Sequence, residues 1–99
     1  MFGLTSKDME KIKTVFARHP QVLEAILYGS RAKGTCRPGS DIDITLKGNG
    51  LNLHVLNRVS SDLDDLLLPY NIDLSIYDRI NDPELIAHIG RVGKIIYKK

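Results

Sequence analysis

Hydrophobic and polar residues follow two periods along the chain, one typical of helices and one typical of strands. In the segment 5–20, apolar residues recur every three or four positions, which predicts an amphipathic helix. Thr5 and Asp8 resemble a capping box at its start, and Pro20 ends it. The first predicted element is therefore a helix with one buried face.

Two further segments have a helical period. In 51–69 the apolar side chains form one stripe, whose members are Leu53, Leu56, Val59, Leu63, Leu66 and Leu67. In 81–90, Asp82 is placed to cap a helix, Pro83 to occupy its first position and Gly90 to end it. Both segments are predicted to be helices, and the stripe of the first is predicted to pack against the core.

Four short segments are predicted to be strands. They are VLEAILYG at 22–29, SDIDITLKGNG at 40–50, NIDLSIYD at 71–78 and KIIYK at 94–98. Helices that alternate with such strands predict a compact fold of the α/β or α+β class, with helices covering one face of a sheet. Periodicity leaves the order of the strands open.

The alternation within two of these strands separates carboxylates from apolar side chains, because successive residues of a strand point to opposite faces. In the second strand one face is predicted to carry Asp41, Asp43 and Thr45, and the other Ile42, Ile44 and Leu46. In the third strand one face is predicted to carry Asp73, Ser75 and Tyr77, and the other Ile72, Leu74 and Ile76. Each strand thus has an acidic face and an apolar face.

Length and charge limit the classes of function. A chain of 99 residues predicts one domain, 1–99, with no separate substrate-binding domain. The formal net charge of +2 permits phosphate-bearing ligands but is too small to indicate nucleic-acid binding, which we do not expect. Neither a signal peptide nor a run of about eighteen apolar residues is present, so we expect a cytoplasmic protein that does not enter a membrane.

Cysteine and histidine do not indicate a metal site. Cys36 is the only cysteine, which excludes an internal disulfide and a cysteine-type zinc site. His19, His54 and His88 lack the spacing of metal ligands, and we interpret them as ordinary surface or core-edge residues. The chemistry of the chain is therefore expected elsewhere.

The stretch YGSRAKGTCRPGSDIDI, residues 28–44, carries the residues with the clearest chemistry. Gly29 allows a sharp turn after a strand, and Ser30 can cap a short helix, so that backbone N–H groups and a hydroxyl converge where a phosphate would bind. Asp41 and Asp43 lie on one face of the next strand, where their oxygens are spaced to hold hard divalent cations. A phosphate cradle and a cation site are thus predicted side by side.

Asp73 adds a third carboxylate if its strand lies beside the strand of Asp43. Mg²⁺ commonly binds through a few carboxylates together with phosphates, and two such ions can stabilise the attacking and leaving oxygens of an in-line displacement at phosphorus. Three facing carboxylates would repel one another unless cations lie among them. A Gly-Ser turn or an Asp-x-Asp strand alone is common, but their combination predicts metal-assisted chemistry on a phosphate.

These residues resemble the signature of the minimal nucleotidyltransferases of the DNA polymerase β superfamily. Gly-Ser, ten residues, Asp-x-Asp and a later aspartate on a strand are matched by Gly29, Ser30, Asp41, Asp43 and Asp73. The fuller pattern of the small members is also matched, at Arg31, Ala32, Gly34 and Ser40. The resemblance spans nearly the whole chain. It implies the nucleotidyltransferase fold, a small mixed β-sheet with helices packed on one face.

The resemblance also implies an activity and a phosphate-binding set. The activity is transfer of a nucleoside monophosphate, such as AMP from ATP or the equivalent from another NTP, with release of pyrophosphate. Gly29 and Ser30 would hold the β- and γ-phosphates, and Arg31 would add a positive charge beside the leaving pyrophosphate. Lys33 and Arg37 lie in the same loop and stay unassigned.

The catalytic and metal-binding residues implied by the resemblance are the three aspartates. Asp41 and Asp43 would ligate two Mg²⁺ ions. Asp73 would complete the site of the ion nearer the acceptor and would help to deprotonate the attacking hydroxyl, a role that suits a carboxylate beside a Lewis acid.

Small members of this family are often encoded beside an all-helical HEPN protein, as the antitoxin of a toxin–antitoxin pair. Their described activity is adenylylation of a tyrosine on the HEPN ribonuclease, so the resemblance implies a HEPN-type partner. One alternative is a non-catalytic module that neutralises its partner by binding alone. Another is a phosphatase of the haloacid dehalogenase type, because DIDITL resembles its Asp-x-Asp-x-Thr motif, but CRPGS precedes Asp41 where that family has a buried strand.

Overall fold

The computed structural model describes residues 2–34 and 41–99 and contains one four-stranded sheet in the order β3-β2-β1-β4. The elements follow the predicted alternation of helix and strand. In chain order they are α1 (Ser6–Ala17), β1 (Val22–Tyr28), α2 (Ser30–Lys33), β2 (Ile42–Gly48), α3 (Leu53–Asp64), β3 (Ile72–Ile76), a 3₁₀ turn (Tyr77–Arg79), α4 (Pro83–Val92) and β4 (Lys94–Lys98).

The three longer helices start at side chains that accept hydrogen bonds from their first turns. Thr5 Oγ1 accepts from the Asp8 N–H at 3.0 Å, and Asp82 Oδ1 accepts from the Glu84 N–H at 2.9 Å, as the sequence predicts. Asn52 caps α3 in the same way, through the Val55 N–H at 2.9 Å. These caps satisfy N–H groups that have no partner inside the helix.

The sheet is mixed, which confirms the fold class. Strand β1 lies at the centre and pairs antiparallel with both β2 and β4. Strand β2 pairs parallel with β3, and α3 forms the crossover that a parallel pair requires. Because β2 and β3 run in the same direction and in register, equivalent residues of the two acidic strands become direct neighbours.

Helices lie on both faces of this sheet. Helices α1 and α3 pack on the face of Ala25, Leu27 and the isoleucines of β2, and this side forms the main core. Helix α4 packs on the opposite face, where Ile89 contacts a cluster with Ile26 and Tyr28. Helices α1 and α3 thus cover one face of the sheet, as the sequence predicts. Helix α4 covers the other face instead, because Ile26 and Tyr28 make that face of β1 apolar as well.

Two predicted helix boundaries differ from the structure. Helix α3 ends at Asp64, so Leu67 lies beyond it with a positive φ of 54° and is 89% exposed, and the buried stripe is Val55, Val59 and Leu63. Helix α4 continues through Gly90 to Val92, so Gly90 does not end it. No helix among the described residues has both the length and the apolar character needed to cross a membrane.

Candidate active site

Asp43 and Asp73 are direct neighbours on paired strands. They occupy the same position of the parallel ladder between β2 and β3, one pair after Ile42 and Ile72. Side chains in register on adjacent strands share a face, so the two carboxylates lie on the acidic face that the alternation predicts. Asp73 was predicted to join the site if β3 lay beside β2, and the structure shows these two strands paired.

Asp41 lies at the entrance of β2, immediately before the first strand residue, and is exposed. The two strand entrances are held together by the Ile42 N–H, which donates to the Asn71 carbonyl at 2.8 Å. The charge of Asp41 acts on Asp43. The three predicted aspartates therefore lie at one end of the β2–β3 pair.

Asp43 is the least exposed of the three aspartates, and its surroundings disfavour the charged carboxylate. Burial raises its pKa above the ordinary value, and the charges of Asp73 and Asp41 raise it further. Both major causes disfavour the charged form in the folded protein. A cation beside Asp43 would remove this penalty.

We expect Asp43→Asn to be more stable than the wild type in the absence of divalent cations. Because the pKa of Asp43 is raised on folding, its charge destabilises the fold at neutral pH, and the penalty disappears as pH falls through that raised pKa. Solvent screening limits the gain to less than about 1 kcal/mol. Urea unfolding with a chelator should show the gain at neutral pH and its decline in acid. A variant less stable than wild type at neutral pH would contradict this account of the site.

Gly29 touches the carboxylate of Asp43, and this contact explains the need for glycine. Its φ of 80° and ψ of −156° belong to a region that L residues with a side chain rarely adopt. A Cβ at this position would collide with Asp43 Oδ2. The turn of the Gly-Ser motif and the Asp-x-Asp strand are therefore in direct contact, as expected of one site.

Ser30 is the first residue of the four-residue α2, and Gly29 takes the capping position. Ser30 was predicted to cap this helix, but the capping position belongs to Gly29, which has no side chain to make a capping hydrogen bond. The prediction of free backbone N–H groups also needs correction for Gly29, because its N–H donates to His88 Nε2 at 3.2 Å.

Arg31 was expected beside the leaving pyrophosphate, but the structure buries its side chain. The residue is only 3% exposed, and Nη1 donates to the Phe2 carbonyl at 2.9 Å. Its guanidinium also lies over the ring of Tyr70, 5.0 Å from the ring centroid. A carbonyl and an aromatic face both stabilise its positive charge, and the role of Arg31 beside the pyrophosphate stays a prediction.

Two residues of this site were not identified from the sequence. His88 from α4 reaches the Gly-Ser turn, although it was interpreted as an ordinary surface or core-edge residue. The signal available in the sequence was its spacing, three residues after Leu85 and one before Ile89, on the side of α4 that packs against the sheet. The second residue, Tyr28, was hidden in the apolar run of β1.

Tyr28 lies beside Asp43 on the neighbouring strand, and the charges of Asp43 and Asp73 both act on it. It pairs with Asp43 across the antiparallel ladder, and burial raises its pKa. Its hydroxyl faces Ser75, a contact that lowers the pKa, whereas the charges of Asp43 and Asp73 raise it. The Ser75 hydroxyl is buried, and within residues 2–34 and 41–99 no group reaches full hydrogen-bonding geometry with it. The hydroxyl groups of Tyr28 and Ser75 therefore lie on the acidic face of the sheet, close to the aspartates.

The donor set fits a hard divalent cation that arrives with phosphate oxygens. In residues 2–34 and 41–99, no three carboxylate, imidazole or thiolate groups converge as a preformed metal site. Mg²⁺ keeps most of its shell as water or substrate phosphate and takes one or two carboxylates from the protein. The paired Asp43 and Asp73 carboxylates supply that number.

Part of the predicted motif lies outside the described residues. Ser40, which completes the fuller family pattern, is one such residue, and Cys36 and Arg37 are others. Lys33 ends α2 and is exposed. The geometry of the site therefore rests on the Gly-Ser turn, on strands β2 and β3 and on α4.

Comparison of sequences identifies a family for most of the chain. The family model described as Polymerase beta, Nucleotidyltransferase matches residues 10–99. No curated protein matches the chain in sequence.

Solved structures share the fold. A chain of a toxin–antitoxin structure with AMP-PNP matches with a TM-score of 0.75 at 22% identity, over 92% of this chain and 73% of that chain. A complex of a tri-AMPylated Shewanella oneidensis HEPN toxin with an MNT antitoxin gives a TM-score of 0.71 at 18% identity, over 97% and 74%. A protein assigned as a minimal nucleotidyltransferase gives 0.67 at 26% identity, over 89% and 88%.

Proposed function

This chain belongs to the Polymerase beta nucleotidyltransferase family, and from that membership we propose that it transfers a nucleoside monophosphate from a nucleoside triphosphate to a hydroxyl group. The observation that supports the proposal is that the Gly-Ser turn, strand β2 and strand β3 meet at Asp43. Asp43 and Asp73 are paired in register, and Gly29 of the Gly-Ser turn lies against the Asp43 carboxylate. A cation shared by carboxylates and phosphates needs both kinds of group within reach of each other.

In the proposed reaction the acceptor oxygen attacks the α-phosphorus of the triphosphate. The bond between that phosphorus and the oxygen bridging to the β-phosphate breaks, and pyrophosphate leaves with the electron pair. Asp73, exposed beside Asp43, takes the proton of the attacking hydroxyl. Gly29 and Ser30 orient the β- and γ-phosphates. Arg31, the residue after Ser30, would add a positive charge beside the leaving pyrophosphate.

The proposed cation ligands are Asp41, Asp43 and Asp73. Two Mg²⁺ ions held there would neutralise the triphosphate and stabilise the attacking and leaving oxygens. Asp43 is central to this set, since the charges of both other aspartates act on it. We also propose that the whole activity resides in one domain, 1–99, and that the reaction takes place in the cytoplasm with ATP as the donor.

We propose that the acceptor is a tyrosine hydroxyl of an all-helical HEPN-type toxin and that the chain acts as its antitoxin. Structures with this fold include a toxin–antitoxin structure with AMP-PNP and a tri-AMPylated HEPN toxin bound to an MNT antitoxin. The acidic face supports the same idea, because Asp41 and Asp73 are exposed and leave room for an acceptor carried by another protein.

The experiment that tests the reaction type uses ATP labelled at either the α- or the γ-phosphate. The chain is incubated with Mg²⁺ and the all-helical protein encoded next to it. Label from the α-position should appear on the protein partner, with one pyrophosphate released for each event, and label from the γ-position should not. Transfer of the γ-label instead would indicate a kinase and contradict the proposal. Inhibition of the partner without any transfer would favour the non-catalytic antitoxin.

A further inference from the structure

His88 is the point at which helix α4 reaches the Gly-Ser turn. Its Nε2 lies 3.2 Å from the backbone nitrogen of Gly29. A backbone N–H can only donate, so Nε2 must be the acceptor and must carry no proton. The neutral ring therefore has its proton on Nδ1, a tautomer set by this hydrogen bond.

Packing holds the imidazole in this position. The ring meets the ring of Tyr28 edge-on, with centroids 6.3 Å apart and planes at 80°. The next residue, Ile89, is 4% exposed and packs with Tyr28 and Ile26 of β1. A side chain packed against an aromatic ring and carried by a packed helix has few alternative rotamers. The position of the imidazole is therefore fixed by packing, and its hydrogen bond restrains the Gly-Ser turn.

The peptide that His88 holds is the one that sets the geometry of the proposed phosphate site. Gly29 has a backbone conformation that residues with a side chain rarely adopt. Its Cα lies against the Asp43 carboxylate. Rotation of this peptide would move Ser30, the next residue, relative to Asp43. The hydrogen bond from Gly29 to Nε2 opposes that rotation.

We propose that His88 is a positioning residue that fixes the Gly29 peptide so that the Gly-Ser turn and Asp43 bind one triphosphate together. This inference rests on the proposed nucleotidyl transfer for its purpose, but its structural content is independent of the reaction. His88 acts through Gly29 and is not a catalytic residue.

The first test is made on the wild-type protein without any nucleotide. Nitrogen-15 NMR of the side chain at mildly alkaline pH should show His88 protonated at Nδ1 and unprotonated at Nε2. The Gly29 amide should exchange slowly with solvent, and it should exchange at least about tenfold faster in His88→Ala, as expected for loss of one hydrogen bond. An Nε2-protonated ring, or a Gly29 amide that exchanges equally fast in both proteins, would overturn the proposal.

The second test asks whether the turn matters for nucleotide. Calorimetry with ATP and Mg²⁺ should give about tenfold weaker binding for His88→Ala. His88→Gln should restore binding to within about threefold, because its amide oxygen can accept from Gly29 N–H. His54→Ala on the exposed start of α3 is the matched control and should bind as wild type. Equal loss in the Gln and Ala variants would overturn the positioning role. If wild type binds no nucleotide, the proposed function fails, whereas the tautomer and exchange measurements still decide the role of His88.

Discussion

Asp43→Asn should lower the rate of nucleotide transfer by at least about 10³-fold while the protein remains folded. Asparagine has nearly the same shape, so the variant removes a charge and an oxygen ligand without opening a cavity. Asp43 is the residue on which the other two aspartates and the Gly-Ser turn converge. Loss of its charge therefore affects the cation and the triphosphate together.

Single-turnover transfer with labelled ATP measures this effect, and circular dichroism with urea unfolding confirms that the variant is folded. Asp8→Asn is the charge-matched control, since Asp8 lies in the first turn of α1, which packs against α3, β1 and β4. The control should retain wild-type transfer. Substantial transfer by Asp43→Asn would remove Asp43 from the metal-binding set.

Gly29→Ala should lower transfer by about 10²-fold or more, because it displaces the two halves of the site from each other. A Cβ at this position meets Asp43 Oδ2, and the φ of 80° is strained for alanine. We expect a loss of about 1–3 kcal/mol in the free energy of unfolding from the strained backbone. To relieve the collision, the turn or the Asp43 carboxylate must shift. Either shift changes the distance between the proposed phosphate-binding turn and the proposed cation ligand.

Gly50→Ala separates the two causes. Gly50 also has a positive φ, 71°, but a Cβ there would only reach Gln21 Cγ at 4.0 Å, an ordinary contact. This variant should lose about 1 kcal/mol of stability and keep its transfer activity. Equal losses of activity in the two variants would show that backbone strain, and not the contact with Asp43, governs the effect of Gly29→Ala.

Local signals in the sequence were sufficient for the helices and strands. Thr5 and Asp82 predicted helix starts because a capping side chain acts within three residues. The alternation around Asp43 and Asp73 predicted which face each occupies, because side-chain direction in a strand has a period of two. Leu67 was predicted to join an apolar stripe, but the helix had already ended at Asp64, and a stripe does not show where a helix stops.

The assembly of the site depended on contacts that no local pattern specifies. The pairing of Asp43 with Asp73 follows from strand order, which periodicity does not contain. His88 reaches Gly29 across 59 positions of the chain, and its role arises from the placement of α4 on the second face of the sheet. Arg31 belongs to the family motif, and its contacts with Phe2 and Tyr70 join it to segments that are distant in the sequence.

The most direct test of the account is the intact mass of the protein partner after co-expression with this chain. With the wild type, the partner should gain the mass of one nucleoside monophosphate, less one water, for each modified hydroxyl, and its toxicity should be suppressed. With Asp43→Asn, the partner should keep its unmodified mass and remain toxic. A partner of unchanged mass that is neutralised equally by both proteins would contradict nucleotidyl transfer as the function of this site.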